Sequence, residues 1–240
     1  MRERGPAVVG LRGAGAGYPG SFVRVDVFTQ VPHAFGWLTE QQPLAGVLGR
    51  ELELRLFNYR DTTPLRSGQV DDDPYGGGPG MVLRVDVVDA ALDAAYGPAR
   101  PRRIVALTPT GRPLDQELVE ELADERELAL LSSRFEGFDE RIVSGLCTDA
   151  ISIGPYVLSG GELPAMVLLD AVARRLPGAL AEGSGEHESF SRALEGGLEY
   201  PHYTRPPEYR GWDVPRVLLS GDHGRIEAWR HEQSRVRSVR

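Results

Sequence analysis

Three glycine-rich loops contain the residue types in this sequence that could support chemistry. They span residues 70–81 (VDDDPYGGGPGM), 107–112 (LTPTGR) and 152–162 (SIGPYVLSGGE). Glycine lets backbone N–H and C=O groups approach a planar ring or a sugar closely. None of the loops carries the GK[ST] pattern of a phosphate cradle, so ATP or GTP hydrolysis is not indicated. The loops either hold an adenosine-type cofactor through backbone atoms or only form tight turns.

Other reactive side chains are few. Cys147 is the only cysteine, which excludes an internal disulfide and a cysteine-based zinc site. A single cysteine also favours a cytoplasmic, reducing location. We expect Cys147 to be a small buried side chain rather than a nucleophile. The histidines show no metal-ligand spacing, and we expect the three aspartates at 71–73 to order their loop rather than to cage a metal. All 27 basic residues are arginine, which excludes a lysine nucleophile.

The elements that must position the loops follow from hydrophobic periodicity. Residues 23–27 and 52–56 alternate apolar with polar side chains, as half-buried strands do. Shorter apolar strands and helical patterns alternate after them, with strands at 103–107, 128–131 and around 151, and helices at 82–96, 114–122 and 163–176. This alternation predicts an α/β domain with a mainly parallel sheet, in which ligands bind beyond the carboxyl ends of the strands.

Composition divides the chain into a flexible tail, a main domain, a mobile linker and a small helical module, predicted at 1–22, 23–178, 179–192 and 193–240. In the module, Ser220 or Asp222 is expected to cap the last helix, and Trp212 and Trp229 are expected to be core.

Charge is distributed unevenly between these parts. The net charge of −8 argues against a protein that coats nucleic acid but does not exclude a local RNA patch. Residues 201–240 carry 8 arginines against 5 acids, so they suit an anionic partner or form a solvated helix of mixed charge.

The ends of the sequence and its apolar runs bear on membrane association. Glycine-rich sequence follows Arg2 and Arg4, so no signal peptide is expected. No run of about 18 apolar residues is present, so no membrane span is expected either.

Six motifs occur in one order along most of the chain. They are VDD-PYGGGPGM (70–81), L-P-GR-LDQ (107–116), R-EG-DER (134–141), SIG-YVLSGGELPAM (152–166), PHYTRP (201–206) and VLLSGDH-I--WR (217–230). On these motifs the sequence resembles the bacterial tRNA (guanine-N1)-methyltransferases of the TrmD type, from about Val23 to Arg230.

The resemblance implies more than patterning can. It implies a trefoil-knotted α/β domain that binds S-adenosylmethionine in the knot, a small C-terminal helical domain that binds RNA, and an obligate homodimer with the active site at the interface. The implied reaction methylates N1 of the guanine just 3′ of the tRNA anticodon. A dependence on Mg2+ is implied as well.

Site residues carry over by position. The residues implied to line the cofactor pocket are Leu107, Thr108, Gly111, Ser152, Ile153, Gly154, Tyr156, Leu158, Gly160 and Gly161. Arg174 matches the catalytic arginine of the family, and Glu188 stands where the family has its catalytic aspartate. The chemistry fits, because N1 of guanine must lose a proton to a base, and an arginine can stabilise the negative charge that develops on O6.

Departures from the family pattern leave alternatives open. Glu188 replaces the family's aspartate, and Asp73 replaces an arginine that many members have. Residues 62–69 (TTPLRSGQ) differ from the histidine-rich segment that is usual there. The basic segment that relatives have after Gln233 is shorter in this sequence. The first alternative is a divergent paralogue that methylates another RNA or a small molecule. The second is a catalytically inactive donor-binding protein that acts through RNA or as a partner subunit.

Overall fold

Five apolar segments form one parallel sheet. The computed structural model describes residues 22–181, 184–185 and 188–239. Its strands are β1 (Val23–Thr29), β2 (Leu52–Asn58), β3 (Asp71–Asp72), β4 (Val82–Leu83), β5 (Arg103–Pro113), β6 (Glu127–Ser132), β7 (Asp149–Ser152), β8 (Glu208–Tyr209) and β9 (Trp212–Asp213). The sheet order is β2-β1-β6-β5-β7, and every neighbouring pair is parallel, which confirms the predicted parallel sheet.

Helices cover the sheet on both faces. They are α1 (Gly36–Thr39), α2 (Leu44–Val47), α3 (Tyr59–Thr62), α4 (Val85–Tyr96), α5 (Gln116–Ala123), α6 (Glu162–Ala173) and α7 (His223–Ser238). On one face α2, α5 and α6 pack against the strands through side chains such as Leu44, Leu118 and Leu168. On the other face α4 packs through Val88 and Leu92. The loops at the carboxyl ends of the strands are therefore fixed by two apolar cores.

The first strand differs from its prediction. The prediction that the strand at 23–27 is half-buried is wrong. β1 lies between β2 and β6, and both of its faces are covered. Asp26 is 1% exposed and accepts two hydrogen bonds of 2.6 Å from the Arg55 guanidinium and one of 2.6 Å from the Tyr96 hydroxyl. Burial, together with this carboxylate, raises the pKa of Tyr96. A buried charge persists because it is paired.

Several element boundaries also shift. The helix predicted at 82–96 begins at Val85, because Val82 and Leu83 pair with Asp72 and Asp71 in the β3–β4 ribbon. The strand predicted at 103–107 continues to Pro113, and its register against β7 breaks between Leu107 and Arg112. The helix predicted at 163–176 is α6, which ends at Ala173.

The chain divides into two compact units after Ala179. The second unit contains the β8–β9 hairpin and α7, whose N-cap is Asp222, the side chain of which accepts a hydrogen bond from the Arg225 N–H. Trp212 is 71% exposed, so its prediction as core is wrong, whereas Trp229 is half-buried against the Tyr203 ring.

Parts of two predicted segments cannot be compared with the fold. Residues 1–21 of the predicted tail and residues 182–183 and 186–187 of the predicted linker lie outside the described part. Within the described residues, no helix is both long and apolar enough to cross a membrane.

Candidate cofactor-binding cleft

A cleft of about 150 Å³ opens at the carboxyl ends of β5, β6 and β7. Its walls come from three segments, at 107–109 where the register of β5 against β7 breaks, at 133–137 after β6, and along most of 151–161 from the end of β7 onwards. This is the edge of a parallel sheet at which ligands bind in open α/β folds. Each of the three segments contributes glycine or proline to the lining, at Pro109, Gly137, Gly154, Gly160 and Gly161.

Nine of the ten residues expected to bind the cofactor lie together in this cleft. They are Leu107, Thr108, Ser152, Ile153, Gly154, Tyr156, Leu158, Gly160 and Gly161. Gly111 is not part of the lining. A side-chain carbon at Gly111 would clash with the backbone of Ala150 and Ile151, so this glycine allows β5 and β7 to pack closely at the register break.

Two adjacent glycines hold the segment after β7 against the end of β6. The Gly161 N–H donates a hydrogen bond of 2.8 Å to the Ser133 carbonyl. A side-chain carbon on Gly161 would lie 2.7 Å from the Ser132 Cα, and one on Gly160 would meet the Glu162 carboxylate. Contacts this close have no room for a methyl group, so the wall of the cleft at this point has to be bare backbone.

Below the wall lies a buried carboxylate. Glu162 begins α6 and is 5% exposed. Its Oε1 accepts a 2.8 Å hydrogen bond from the Thr29 hydroxyl, at the end of β1, and its Oε2 accepts a 3.3 Å hydrogen bond from Arg134 Nη1, just after β6. One charged group therefore joins three elements behind the cleft, and the N-terminal dipole of α6 favours its negative charge.

The segment 133–137 was not among the residues expected to bind the cofactor. Arg134, Phe135 and Glu136 line the cleft, and Phe135 is half exposed. Two signals could have identified them, because they lie within the span of the R-EG-DER motif (134–141) and they closely follow the apolar run at 128–131.

The first glycine loop supports the cleft from behind. It is not part of the lining. The Glu136 N–H donates a 2.9 Å hydrogen bond to the Met81 carbonyl, and the Glu136 side chain packs on Gly80, which has a φ of +82°. Residues 70–81 thus fix the position of Glu136.

The two residues with implied catalytic roles lie in different units. Arg174 is the C-cap of α6 in the first unit, and its N–H donates a 3.1 Å hydrogen bond to the Asp170 carbonyl. Glu188 lies in the second unit, where its carbonyl accepts a 3.0 Å hydrogen bond from the Ser191 N–H. The neighbouring Ser189 hydroxyl accepts a hydrogen bond of 2.9 Å from the Glu199 N–H. These backbone contacts fix a turn at Glu188.

The acidic stretch at 71–73 is tied to arginine. Arg84 Nη1 lies 2.7 Å from Asp72 Oδ2, and Arg84 Nη2 lies 2.8 Å from Asp86 Oδ2. Hydrogen bonding to Arg84 lowers the pKa of Asp86. Among the described residues, no group of three or more His, Cys, Asp or Glu could hold a metal ion.

Comparison with known proteins gives one consistent result. A family model described as tRNA (Guanine-1)-methyltransferase TrmD matches residues 23–240. The chain is similar to the tRNA (guanine-N(1)-)-methyltransferase of Brevibacillus brevis, at 47% identity over 88% of this chain and 86% of that protein. Proteins of the same description from Exiguobacterium sibiricum (47%, covering 90% and 88%) and Dehalococcoides mccartyi strain 195 (42%, covering 91% and 88%) are also similar.

Proposed function

The chain belongs to the tRNA (guanine-1)-methyltransferase TrmD family, and we propose from this that it methylates N1 of the guanine just 3′ of the tRNA anticodon. It is a tRNA (guanine-N1)-methyltransferase, and S-adenosylmethionine is its methyl donor. The alternatives of a divergent paralogue or an inactive binding protein gain no support, because the similarity extends over about 90% of the chain. The tRNA substrate makes the cytoplasm the proposed location.

The observation that carries the proposed donor site is the cleft between β5, β6 and β7, whose lining includes Gly154, Gly160 and Gly161. Bare backbone at Gly160 and Gly161 fits a flat adenosine group, which needs close approach and hydrogen bonds to N–H and C=O groups. The nine lining residues named above would hold the donor. When bound, S-adenosylmethionine supplies a methyl group already activated by the sulfonium.

The protein's own residues would then deal with the guanine. N1 carries a proton at neutral pH, and we assign the Glu188 carboxylate as the base that accepts it. The Arg174 guanidinium would stabilise the negative charge that develops on O6. Glu136 is the competing candidate for the base, because it lines the cleft. The remaining contribution is the positioning of N1 against the methyl group.

A trefoil knot is the proposed topology of the donor site. The segment after β7 starts at the edge of the sheet, beyond β5, yet Gly160 forms a bridge with Arg134 just after β6. It therefore crosses the carboxyl end of β5, where β5 itself loops out between Leu107 and Arg112 before pairing with Ile151 again. Crossing loops at one sheet edge are rare in unknotted folds, which supports the proposal.

A homodimer with the active site at the interface is proposed as well. On α6, Leu163 and Val167 are one turn apart and are 57% and 47% exposed, and Val157 in the preceding loop is 84% exposed. Apolar side chains grouped next to a binding cleft are typical of a surface that another chain covers. A second copy of this chain is the proposed partner.

The remaining parts receive their proposed roles from the family. Residues 193–240 are the proposed RNA-binding domain, 179–192 the linker and 1–22 an N-terminal tail.

A requirement for Mg2+ is proposed only for the methyl-transfer reaction with tRNA. Chelation of Mg2+ with EDTA tests it. Loss of methyl transfer that added Mg2+ restores would support the requirement, and unchanged transfer would contradict it.

The central experiment measures transfer of labelled methyl from S-adenosylmethionine to unmodified tRNA. We expect transfer to a tRNA with guanine just 3′ of the anticodon and none to the same tRNA with adenine there, because adenine N1 carries no proton and adenine has no O6. Mapping by mass spectrometry would locate the methyl group on N1. Equal labelling of both tRNAs would contradict the proposed target, and donor binding without any transfer would contradict the proposed activity.

Glu188→Gln tests the proposed base. Because glutamine cannot accept the N1 proton, kcat should fall by about 100-fold or more while the affinity for S-adenosylmethionine stays unchanged. Glu188→Asp should restore much of kcat. Glu195→Gln, an exposed acid of the same unit, is the matched control. Unchanged turnover in Glu188→Gln, with a large loss in Glu136→Gln, would transfer the assignment to Glu136.

A further inference from the structure

The β8–β9 hairpin of the second unit carries an exposed aromatic pair. Tyr209 and Trp212 lie directly opposite each other in the ladder, and their ring centroids are 6.2 Å apart. The two side chains are 51% and 71% exposed. The two rings contact each other across the hairpin, and the exposed remainder of each ring is available to a partner.

The turn of the hairpin fixes the position of this pair. Arg210 and Gly211 form the two-residue connection and have φ values of +54° and +82°. Two positive φ values in succession match the twist of the flanking strands. The Val214 N–H donates a 2.9 Å hydrogen bond to the Pro207 carbonyl and closes the open end of the ribbon. The two rings therefore share one surface that needs little ordering on binding.

The charges on the hairpin are separated by face. The Arg210 guanidinium lies 5.1 Å from the centroid of the Tyr209 ring, in a cation–π contact. Glu208 and Asp213 occupy the other pair of the ladder, and the alternation along a strand directs them to the opposite face. The aromatic face thus presents two π-surfaces and a cation. The Glu208 carboxylate is held at the turn, where it accepts a 3.2 Å hydrogen bond from the Gly211 N–H.

We propose that the face formed by Tyr209, Arg210 and Trp212 stacks on an unpaired base of the substrate tRNA. This inference rests on the proposed function. Aromatic rings and guanidinium planes are the groups on which proteins stack unpaired bases, and such stacking accepts any base. Tolerance of this kind suits an enzyme whose target guanine follows anticodons of different sequence. The net positive charge of residues 201–240 favours an anionic partner, and the stacking surface identifies that partner as RNA.

Steady-state kinetics with Trp212→Ala test the contact. Because base–aromatic stacking contributes about 1–3 kcal/mol per base, KM for tRNA should rise by about tenfold, while kcat and KM for S-adenosylmethionine stay unchanged. Trp212→Phe should recover most of the loss. Trp37→Ala is the matched control, because Trp37 is 67% exposed in the first unit. Lost stacking should also leave the salt dependence of tRNA binding unchanged, unlike a lost phosphate contact.

Fluorescence gives a direct readout of stacking. The chain contains three tryptophans, so Trp37→Phe with Trp229→Phe leaves Trp212 as the only indole. Unmodified tRNA should quench its emission at the concentrations that saturate methyl transfer. An unchanged KM for tRNA in Trp212→Ala, or no quenching, would overturn the inference. A shift in the sedimentation of Trp212→Ala would overturn it too, since a second copy of the chain would then cover the hairpin. Failure of the wild-type enzyme to methylate tRNA would instead overturn the proposed function.

Discussion

At the scale of single residues, polar groups are buried where the cleft is built. Five buried polar residues lie at the carboxyl ends of strands or at the start of α6, namely Thr29, Ser132, Ser133, Ser152 and Glu162. Buried polar groups reduce stability unless they are bonded. Thr29 and Glu162 meet this requirement through their mutual 2.8 Å hydrogen bond.

Glu162→Gln tests the buried carboxylate. Loss of its charge weakens the hydrogen bonds from Thr29 and Arg134, so the free energy of unfolding should fall by about 2 kcal/mol. Urea denaturation followed by circular dichroism measures the change. Glu117→Gln is the matched control, because Glu117 occupies the first turn of α5 but is exposed, and its effect should stay within about 0.5 kcal/mol. Equal losses would show that only the helix dipole matters.

Cys147 should be unreactive in the folded protein. Burial, with a smaller effect of Asp149, raises the pKa of its thiol to about 12. Because the thiolate is the nucleophile, alkylation by iodoacetamide should be far slower than in denaturant and should rise about tenfold per pH unit across roughly pH 7–9. A plateau of the folded-state rate near the pKa of a free thiol, about 8.5, would contradict this.

At the scale of elements, the sequence predicts type better than extent. The apolar segments around residues 128 and 151 became β6 and β7 because short apolar runs between turn residues fit a sheet buried on both faces. Periodicity could not reveal that β5 continues past Thr108, since that extension depends on pairing with the distant Ile151 and Ser152. Tertiary contacts of this kind leave no local pattern.

Burial of single side chains was predicted less well. Asp26 reads as a solvent-facing residue of an alternating strand, but its contacts with Arg24, Arg55 and Tyr96 stabilise its carboxylate inside the domain. Trp212 reads as core from its type alone, but a two-residue strand in a hairpin has nothing to cover it. In both cases, burial of the side chain depends on whether other described residues pack against it, and its hydrophobicity alone does not predict it.

Asp222→Ala tests how much the N-cap contributes to α7. In this 16-residue helix only Ser234 is buried, so packing stabilises it little and the cap contributes a large share. Loss of the hydrogen bond to the Arg225 N–H should destabilise the helix by about 1 kcal/mol and increase hydrogen exchange of its first turns. Asp115→Ala removes the corresponding cap from α5, whose Leu118 and Leu122 are buried, and exchange there should change less. Equal changes would contradict the argument.

At the scale of the whole molecule, the cleft is assembled from segments that are distant in the chain. Residues 107–109, 133–137 and 151–161 come together only because β5, β6 and β7 are neighbours in the sheet. Motif resemblance identified two of these segments as donor contacts and missed the third. The position of 133–137 in the cleft follows from strand order, which the sequence alone did not establish.

Leu163→Asp with Val167→Asp tests the proposed homodimer. Two charges on the exposed face of α6 should convert a dimer into monomers, as measured by light scattering after size exclusion, and methyl transfer should fall with dimer content. Leu219→Asp with Val236→Asp is the matched control, since these residues are 60% and 47% exposed, and it should leave the mass unchanged. If the α6 variant had the same molecular mass in solution as the wild-type protein, the proposed interface would be contradicted.

The strand order also has a consequence during protein synthesis. β1 can pair with β2 soon after both emerge from the ribosome, but its other neighbour is β6, in which Glu127 pairs with Arg24 more than 100 residues earlier. At about 5–20 residues per second, this edge of β1 stays unpaired for roughly 5–20 s. Unpaired strand edges are templates for association with other chains. A slow stretch of translation between β2 and β6 would therefore lengthen the interval in which nascent chains can aggregate.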